Sequence, residues 1–170
     1  MHPQPNPEST VSRRRAVAWM AGLAGSLALP SCASPRRPAL SIACFRADVT
    51  PPAGTGMMGG AWLSKFVADP LEANGFILFG AGRPIVFVSV DWCEIRNDAY
   101  GRWQSALAEA VGSTPERVMI STIHQHDTPV ADLEAERILR DRGLAGTVCA
   151  LDFHERAVQS VAKAARVAAR

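Results

Sequence analysis

The sequence contains little cysteine, and its spacing excludes two common uses of that residue. There are four cysteines in 170 residues, and none of them forms a Cys-x-x-Cys pair. That spacing excludes the usual zinc-ribbon and thioredoxin-like motifs. After removal of an export signal three would remain, Cys44, Cys93 and Cys149, and each is most simply a small buried hydrophobe. No disulfide pairing follows from their positions.

The chain also lacks an excess of positive charge. Eighteen Lys and Arg residues face 16 Asp and Glu residues; residues 1–32 contain three of the former and one of the latter, so 15 of each sign would remain. A nucleic-acid-binding surface needs a basic stripe or patch. The composition therefore argues against nucleic acid as a partner. The length and the apolar fraction of 48% fit one globular domain.

No mature membrane-spanning helix is expected from the N-terminal apolar run, because residues 16–29 are too few and too rich in Ala and Gly. Three arginines after Ser12 precede this run, which is typical of a twin-arginine export signal. Residues 1–33 are therefore predicted to direct export to the periplasm or another extracytoplasmic site. LPSC at residues 29–32 resembles a lipobox, in which Cys32 would carry lipid and tether the protein to a membrane. SCA at residues 31–33 also fits ordinary signal peptidase, and both cleavage sites stay open.

A tether at residues 34–40 leads into a domain at residues 41–170, for which we predict an α/β fold with a mixed, largely parallel sheet flanked by helices. Residues 40–48 form a first strand, and residues 76–79 and 85–90 form a hairpin around a Gly-containing turn. The second hairpin strand is apolar at nearly every position. That pattern predicts a strand covered on both faces.

A crossover follows this hairpin. The apolar periodicity of residues 95–111 predicts a helix, and residues 118–123 predict the next strand. A strand, a helix and a strand in this order give parallel neighbours. Further helices are predicted over residues 130–142, with its charged side chains in solvent, and over residues 153–170, capped by Asp152 and with His154 exposed.

Two histidines follow the last predicted strand. Residues 118–129 read VMISTIHQHDTP, and an extended backbone directs residues i and i+2 to the same face. His124 and His126 can therefore converge, as zinc ligands do at ~2.0–2.1 Å from the metal. The spacing fits a pair of surface histidines equally well.

Asp91 ends the preceding strand of the parallel pair. The carboxyl ends of parallel strands lie on one edge of the sheet, so we expect Asp91 on the same rim as His124 and His126, where open α/β sheets carry their sites. Asp91 could bind a metal, orient an imidazole or cap the following helix, and capping is the commonest of these roles.

Four ordered segments together make a more specific pattern: RADVTPPAG at 46–54, ADPLEA at 68–73, VSVD at 88–91 and PERVMISTIHQH at 115–126. In order and spacing they resemble the N-terminal part of the neutral/alkaline non-lysosomal ceramidase family, and the resemblance covers residues 41–170. Members of that family are zinc amidases that cleave ceramide. The resemblance implies a lipid amide or related small-molecule substrate and a zinc cofactor. It makes His124 the zinc ligand and His126 its neighbour beside the substrate. Asp91 is a second catalytic candidate because of its expected place on the same rim.

The sequence departs from the family pattern in two respects. Asp127, Thr128 and Pro129 follow the second histidine, where the family has small residues and glycine. The family's remaining ligands, a histidine, a glutamate and a tyrosine, lie downstream, whereas the only later histidine here is His154 and the only tyrosine is Tyr100. We therefore expect the N-terminal piece of a longer hydrolase, with an incomplete zinc site and no activity alone.

Two alternatives to a ceramidase-like domain follow from the sequence, and one of them is excluded. A metallo-β-lactamase site of the His-x-His-x-Asp-His type is excluded, because Thr128 and Pro129 occupy the positions that need Asp and His. An exported or lipid-tethered α/β module without metal or catalysis stays open. Metal analysis of the purified protein distinguishes this module from the hydrolase domain.

Overall fold

A computed structural model of the chain describes residues 39–146 and 148–170. The predicted export signal at residues 1–33, including Cys32, lies outside the described residues, as does most of the tether. The elements, in chain order, are β1 (Ser41–Asp48), β2 (Gly56–Met57), β3 (Trp62–Leu63), β4 (Glu72–Gly80), β5 (Gly82–Val90), β6 (Glu94–Ile95), α1 (Asn97–Val111), β7 (Val118–Thr122), β8 (Val130–Ala131), α2 (Leu133–Arg140) and α3 (Leu151–Ala168).

A four-stranded sheet in the order β1-β4-β5-β7 forms the centre of the fold. The β1–β4 and β4–β5 pairs are antiparallel, and the β5–β7 pair is parallel. The predicted mixed α/β class is confirmed, and so are the hairpin and the crossover through α1. The sheet is less parallel than predicted, because only one of its three strand pairs is parallel. Two small pairs, antiparallel β2–β3 and parallel β6–β8, lie outside this sheet.

Local sequence explains where these elements begin and end. The β4–β5 hairpin turns at Gly82, whose φ of +105° is open to glycine and strained for other residues. Helix α1 ends at Gly112, which adopts the left-handed conformation of a C-terminal cap. Helix α2 begins after Asp132, whose carboxylate accepts a hydrogen bond from the backbone N–H of Ala135 at 3.0 Å.

Helices α1 and α3 pack against each other and against the sheet, α3 on β1 and β4 and α1 on β5 and β7. Two tryptophans occupy the centre of this layer: Trp92 and Trp103 meet edge to face with their ring centroids 5.6 Å apart. The indole N–H of Trp92 donates to the carbonyl of Val49 at 3.0 Å. No helix in the described part of the chain is long and apolar enough to cross a membrane.

The opposite face of the sheet is open in the described part of the chain. Alternate residues of β5 are buried against the helices: Val86, Val88 and Val90. The apolar residues that point to the other face, Ile85 and Phe87, are only half-buried. The prediction that this strand is covered on both faces is therefore wrong for the described residues.

His154 is buried, where the sequence predicted it to be exposed. Its ring is 2% accessible, and its Nε2 accepts a hydrogen bond from the indole N–H of Trp103 at 3.1 Å. Burial disfavours the imidazolium and lowers the pKa of His154 to about 4. Asp152 does not cap α3; Ala150 holds the cap position without a side-chain hydrogen bond.

Glu136 on α2 is also buried, although the sequence placed it on a solvated face. It is inaccessible to solvent. One carboxylate oxygen accepts the backbone N–H of Gly146, and the other accepts those of Val148 and Cys149, both at 3.2 Å. Three amide dipoles thus solvate the carboxylate, and the connector between α2 and α3 is fixed to α2 through it.

The stability of the protein should fall as the pH is lowered from 6.5 towards 4, in part because of His154. Its folded pKa of about 4 lies below the ordinary value of 6.5, so the unfolded chain binds the extra proton in this range. The contribution lost between pH 7 and pH 5 is about 2 kcal/mol. Denaturant unfolding at both pH values should show a smaller loss for His154→Gln, and equal losses in the two proteins would contradict the assignment.

Replacement of Glu136 by Ala should destabilise the protein by about 3 kcal/mol, because three buried backbone N–H groups lose their acceptor. Glu136→Gln keeps one acceptor oxygen and should cost less. Glu134→Ala is the matched control on the same helix; its exposed pair with Arg137 should contribute less than about 1 kcal/mol. Urea unfolding measures all three variants, and similar losses for Glu136→Ala and Glu134→Ala would refute the anchoring role.

Candidate functional site

The segment after β7, residues 123–129, is called the histidine loop below. Backbone hydrogen bonds fix both of its ends. The N–H of Ile123 donates to the carbonyl of Val90 at 3.2 Å, and the carbonyl of Pro129 accepts the N–H of Cys93 at 2.9 Å. The carbonyl of Thr128 accepts the N–H of Met58, also at 2.9 Å. The loop is therefore held between the end of β5 and the segment around β2.

The carbonyl of Cys93 orients the first histidine of this loop. It accepts two hydrogen bonds, from the hydroxyl of Thr122 at 3.1 Å and from Nδ1 of His124 at 3.1 Å. A carbonyl cannot donate, so Nδ1 carries the hydrogen and Nε2 has the free lone pair. Metal-binding histidines are commonly oriented by such a bond.

His126 lies beside His124, as the spacing predicts. The two ring centroids are 5.3 Å apart and the rings are nearly perpendicular. The His124 side chain is 58% exposed, so a ligand can reach it. Both rings line a cavity of about 360 Å³, whose other polar or thiol side chains are Cys93, Glu94, Arg96 and Asp132.

Two charged side chains of this cavity, Glu94 and Arg96, lie just beyond β5. Glu94 Oε1 lies 3.6 Å from His124 Nδ1, and Oε2 forms an ion pair with Arg96. The pKa of the Cys93 thiol is raised by burial and then by the charge of Glu94, with Arg96 acting in the opposite direction. Cys93 is therefore a neutral thiol at neutral pH, unlike the thiolates that act as nucleophiles or metal ligands.

Asp91 is not brought together with the two histidines. Its carboxylate accepts the backbone N–H of Glu72 at 2.9 Å, and its own N–H donates to the carbonyl of Glu72. It lines a second cavity of about 630 Å³, together with Gln125 and Asp127. It does not cap α1, whose N-cap is Arg96. The catalytic role of Asp91 stays a prediction.

Backbone strain surrounds the histidine cavity. Met58, Asn97 and His124 have φ values of +47°, +46° and +60°, a region that costs residues other than glycine about 1–2 kcal/mol each. Met58 and His124 line the cavity. Asn97 donates to the carboxylate of Asp132 at 2.8 Å. Strain of this kind collects at functional sites, where the surrounding structure holds it in place.

One residue of this site, His124, is placed as a metal ligand would be, and one ligand is fewer than a metal centre needs. The hydrogen bond at Nδ1 of His124 leaves its Nε2 available, and a catalytic zinc has about three protein ligands. Residues 39–146 and 148–170 contain no group of three or more His, Cys, Asp or Glu side chains that could hold a metal ion.

Sequence reasoning overlooked Cys93 and Glu94 as parts of the site. Both belong to the segment DWCE that directly follows β5, so their position at the sheet edge was a usable signal. The chain bends at residues 91–93. The alternation of side chains along a strand therefore no longer predicts to which face a side chain points there. The bend turns Glu94 towards His124 and leaves Asp91 on the side of the second cavity.

Comparison with known proteins identifies a shared fold. No family model matches the chain, and no curated protein does. The neutral ceramidase of Pseudomonas aeruginosa is similar in structure, with a TM-score of 0.56 and 19% identity over 78% of this chain and 21% of that chain. A ceramidase complexed with C2 has a TM-score of 0.55 and 20% identity over 79% and 22% of the two chains.

These similarities show a ceramidase-like fold. They do not show that the chain belongs to the ceramidase family. The described domain corresponds to one part of that fold, and the chain spans about a fifth of the length of both ceramidase structures. The mixed sheet and its helices are therefore an arrangement that known hydrolases also use.

If the main role of Asp91 is structural, Asp91→Ala should lower the free energy of unfolding by about 2 kcal/mol, since the N–H of Glu72 loses its acceptor. Asp91→Asn keeps an acceptor oxygen and should cost about half as much. Asp69→Ala, an exposed carboxylate of the same cavity, is the control and should have little effect. Chemical denaturation measures the three variants, and an Asp91→Ala protein as stable as the wild type would exclude the structural role.

Proposed function

We propose that this chain is a ceramidase-like, metal-dependent amidohydrolase domain that acts on an amide-linked lipid or a related amide. In this proposal His124 is a zinc ligand and His126 contacts the substrate beside it. The single observation that carries it is the hydrogen bond from Nδ1 of His124 to the carbonyl of Cys93 at 3.1 Å. The ceramidase-like fold supports the same assignment.

The residues of the cavity would share the work of presenting the substrate amide. The Cys93 carbonyl limits rotation of the His124 ring, so that the Nε2 lone pair is preorganised to bind a metal. His126, at a centroid distance of 5.3 Å, is close enough to contact a group held at His124. Met58, Val130 and Ala135 supply apolar wall, which suits the hydrocarbon part of such a substrate.

Zinc, when bound, would polarise the amide carbonyl and lower the pKa of a bound water. One oriented imidazole and a neighbouring one are fewer donors than such a site needs. The proposal therefore requires donors from outside the described residues. For the described domain alone we expect weak zinc binding and no release of fatty acid.

An exported or lipid-tethered α/β module without metal is the second candidate. It is favoured by the absence of a three-ligand group within residues 39–146 and 148–170 and by the exposure of both imidazoles. Export through residues 1–33 and a lipid at Cys32 are part of both proposals. The two candidates differ in whether His124 binds metal.

The full chain should bind zinc in titration calorimetry, and His124→Ala should weaken that binding at least ~10-fold because it removes the oriented donor. His126→Ala should have a smaller effect. Gln125→Ala is the matched control: it lies between the two histidines but lines the other cavity, so its zinc affinity should equal that of the wild type.

Thermal unfolding with and without added zinc gives an independent measurement, because a ligand that binds the folded state raises the melting temperature. The wild type should be stabilised and His124→Ala should not. Equal zinc affinity and equal stabilisation in both proteins would refute the metal proposal for this chain. Fatty-acid release from an N-acyl lipid by this chain alone would instead refute the view that donors are missing.

A further inference from the structure

The carboxylate of Glu94 is held in one place beside the histidine loop. Parallel pairing of β6 with β8 fixes its backbone, and the N–H of the nearby Arg96 donates to the carbonyl of Ala131 at 2.8 Å. The side chain of Glu94 is only 24% exposed, and an ion pair with Arg96 holds its Oε2. Oε1 faces the loop, where it lies 3.6 Å from Nδ1 of His124.

Nδ1 of His124 has two hydrogen-bond partners on one residue, and they have opposite consequences for the ring. Nδ1 can donate to the carbonyl of Cys93 at 3.1 Å, or it can accept from the thiol of Cys93, whose Sγ lies 3.8 Å away. The first bond leaves the lone pair on Nε2. The second requires the hydrogen on Nε2, which then cannot bind a metal.

Nearby charge decides between these two arrangements. A negative charge favours a nitrogen that carries hydrogen and disfavours a lone pair at the same place. Because Oε1 of Glu94 faces Nδ1 of His124, it favours the arrangement with the hydrogen on Nδ1. The two nitrogens of an imidazole point away from each other, so Glu94 lies on the side of the ring that is remote from a metal at Nε2. Glu94 therefore acts through His124 and not as a ligand.

We propose that Glu94 is a positioning residue that keeps the hydrogen of His124 on Nδ1 and so keeps Nε2 ready to bind a metal. Hydrogen-bonded carboxylates commonly have this role behind metal-binding histidines. The metal part of this inference rests on the proposed function, whereas the effect of Glu94 on the ring does not.

Ring-nitrogen chemical shifts in NMR spectra of the full chain test the effect on the ring without metal, at about pH 9, where imidazole is neutral. The wild type should have the hydrogen of His124 on Nδ1. Glu94→Met removes the charge at similar volume and should raise the fraction with hydrogen on Nε2 at least ~3-fold. Adding Cys93→Ala to Glu94→Met should restore the wild-type tautomer, because the competing thiol donor is lost.

Glu72→Met is the matched control, since Glu72 is also a carboxylate paired with an arginine, Arg46, at 3.5 Å. It should leave the His124 tautomer unchanged. The ring of His154, which accepts from the indole of Trp103 at 3.1 Å, is an internal reference for the fold, and its shifts should be the same in all variants. If Glu94→Met alters them, Glu94→Gln, which keeps the shape and loses the charge, takes its place.

Titration calorimetry then measures the consequence for metal, and Glu94→Met should weaken zinc binding to the full chain about 10-fold. An unchanged His124 tautomer in this variant would overturn the positioning role, whether or not zinc affinity falls. A changed tautomer that persists after Cys93→Ala would also overturn it. A wild type that binds no zinc would refute the proposed function, and the tautomer measurement would still decide the role of Glu94.

Discussion

The backbone of Cys93 joins the three segments on which the site depends. Its N–H donates to Pro129, and its carbonyl accepts from Thr122 and His124. Parallel pairing of β5 with β7 brings the two strand ends to one edge, and the crossover helix α1 makes that pairing possible. A carbonyl with both lone pairs used then sets the tautomer of His124. The thiol of Cys93 also contacts this ring, with its Sγ 3.8 Å from Nδ1 of His124.

Much of the fold could be predicted because its signals are local. The hairpin turn, the apolar period of α1 and the strand that precedes His124 each lie within one short segment. The predictions for Glu136 and His154 were wrong because their partners are distant in sequence. His154 meets Trp103 across 51 positions, and helical periodicity alone cannot show that an indole N–H needs an acceptor there.

The site could be predicted in part. His124 and His126 share a cavity, but they lie beyond the end of β7 and His124 has left-handed backbone, so the loop, and not the two-residue period of a strand, brings them together. Beyond the end of β5 the chain bends; Asp91 follows the strand end paired with β7, as the parallel pairing predicts, but it lines a different cavity from the two histidines. Glu94 takes the place near His124 instead. The fold is similar to one part of the two ceramidase structures, and among the two loop histidines His124 has a ring nitrogen bonded to the backbone.

The left-handed backbone at Met58, Asn97 and His124 has a consequence for how this protein could change in sequence. Glycine at any of the three would relax the backbone, and at His124 it would also delete the imidazole. Random mutagenesis with selection for thermostability alone should therefore enrich glycine at these positions, including the change that removes the His124 imidazole. At position 124, a relaxed backbone and an imidazole cannot be obtained together. A stabilised variant that retains His124 would have to gain its stability elsewhere.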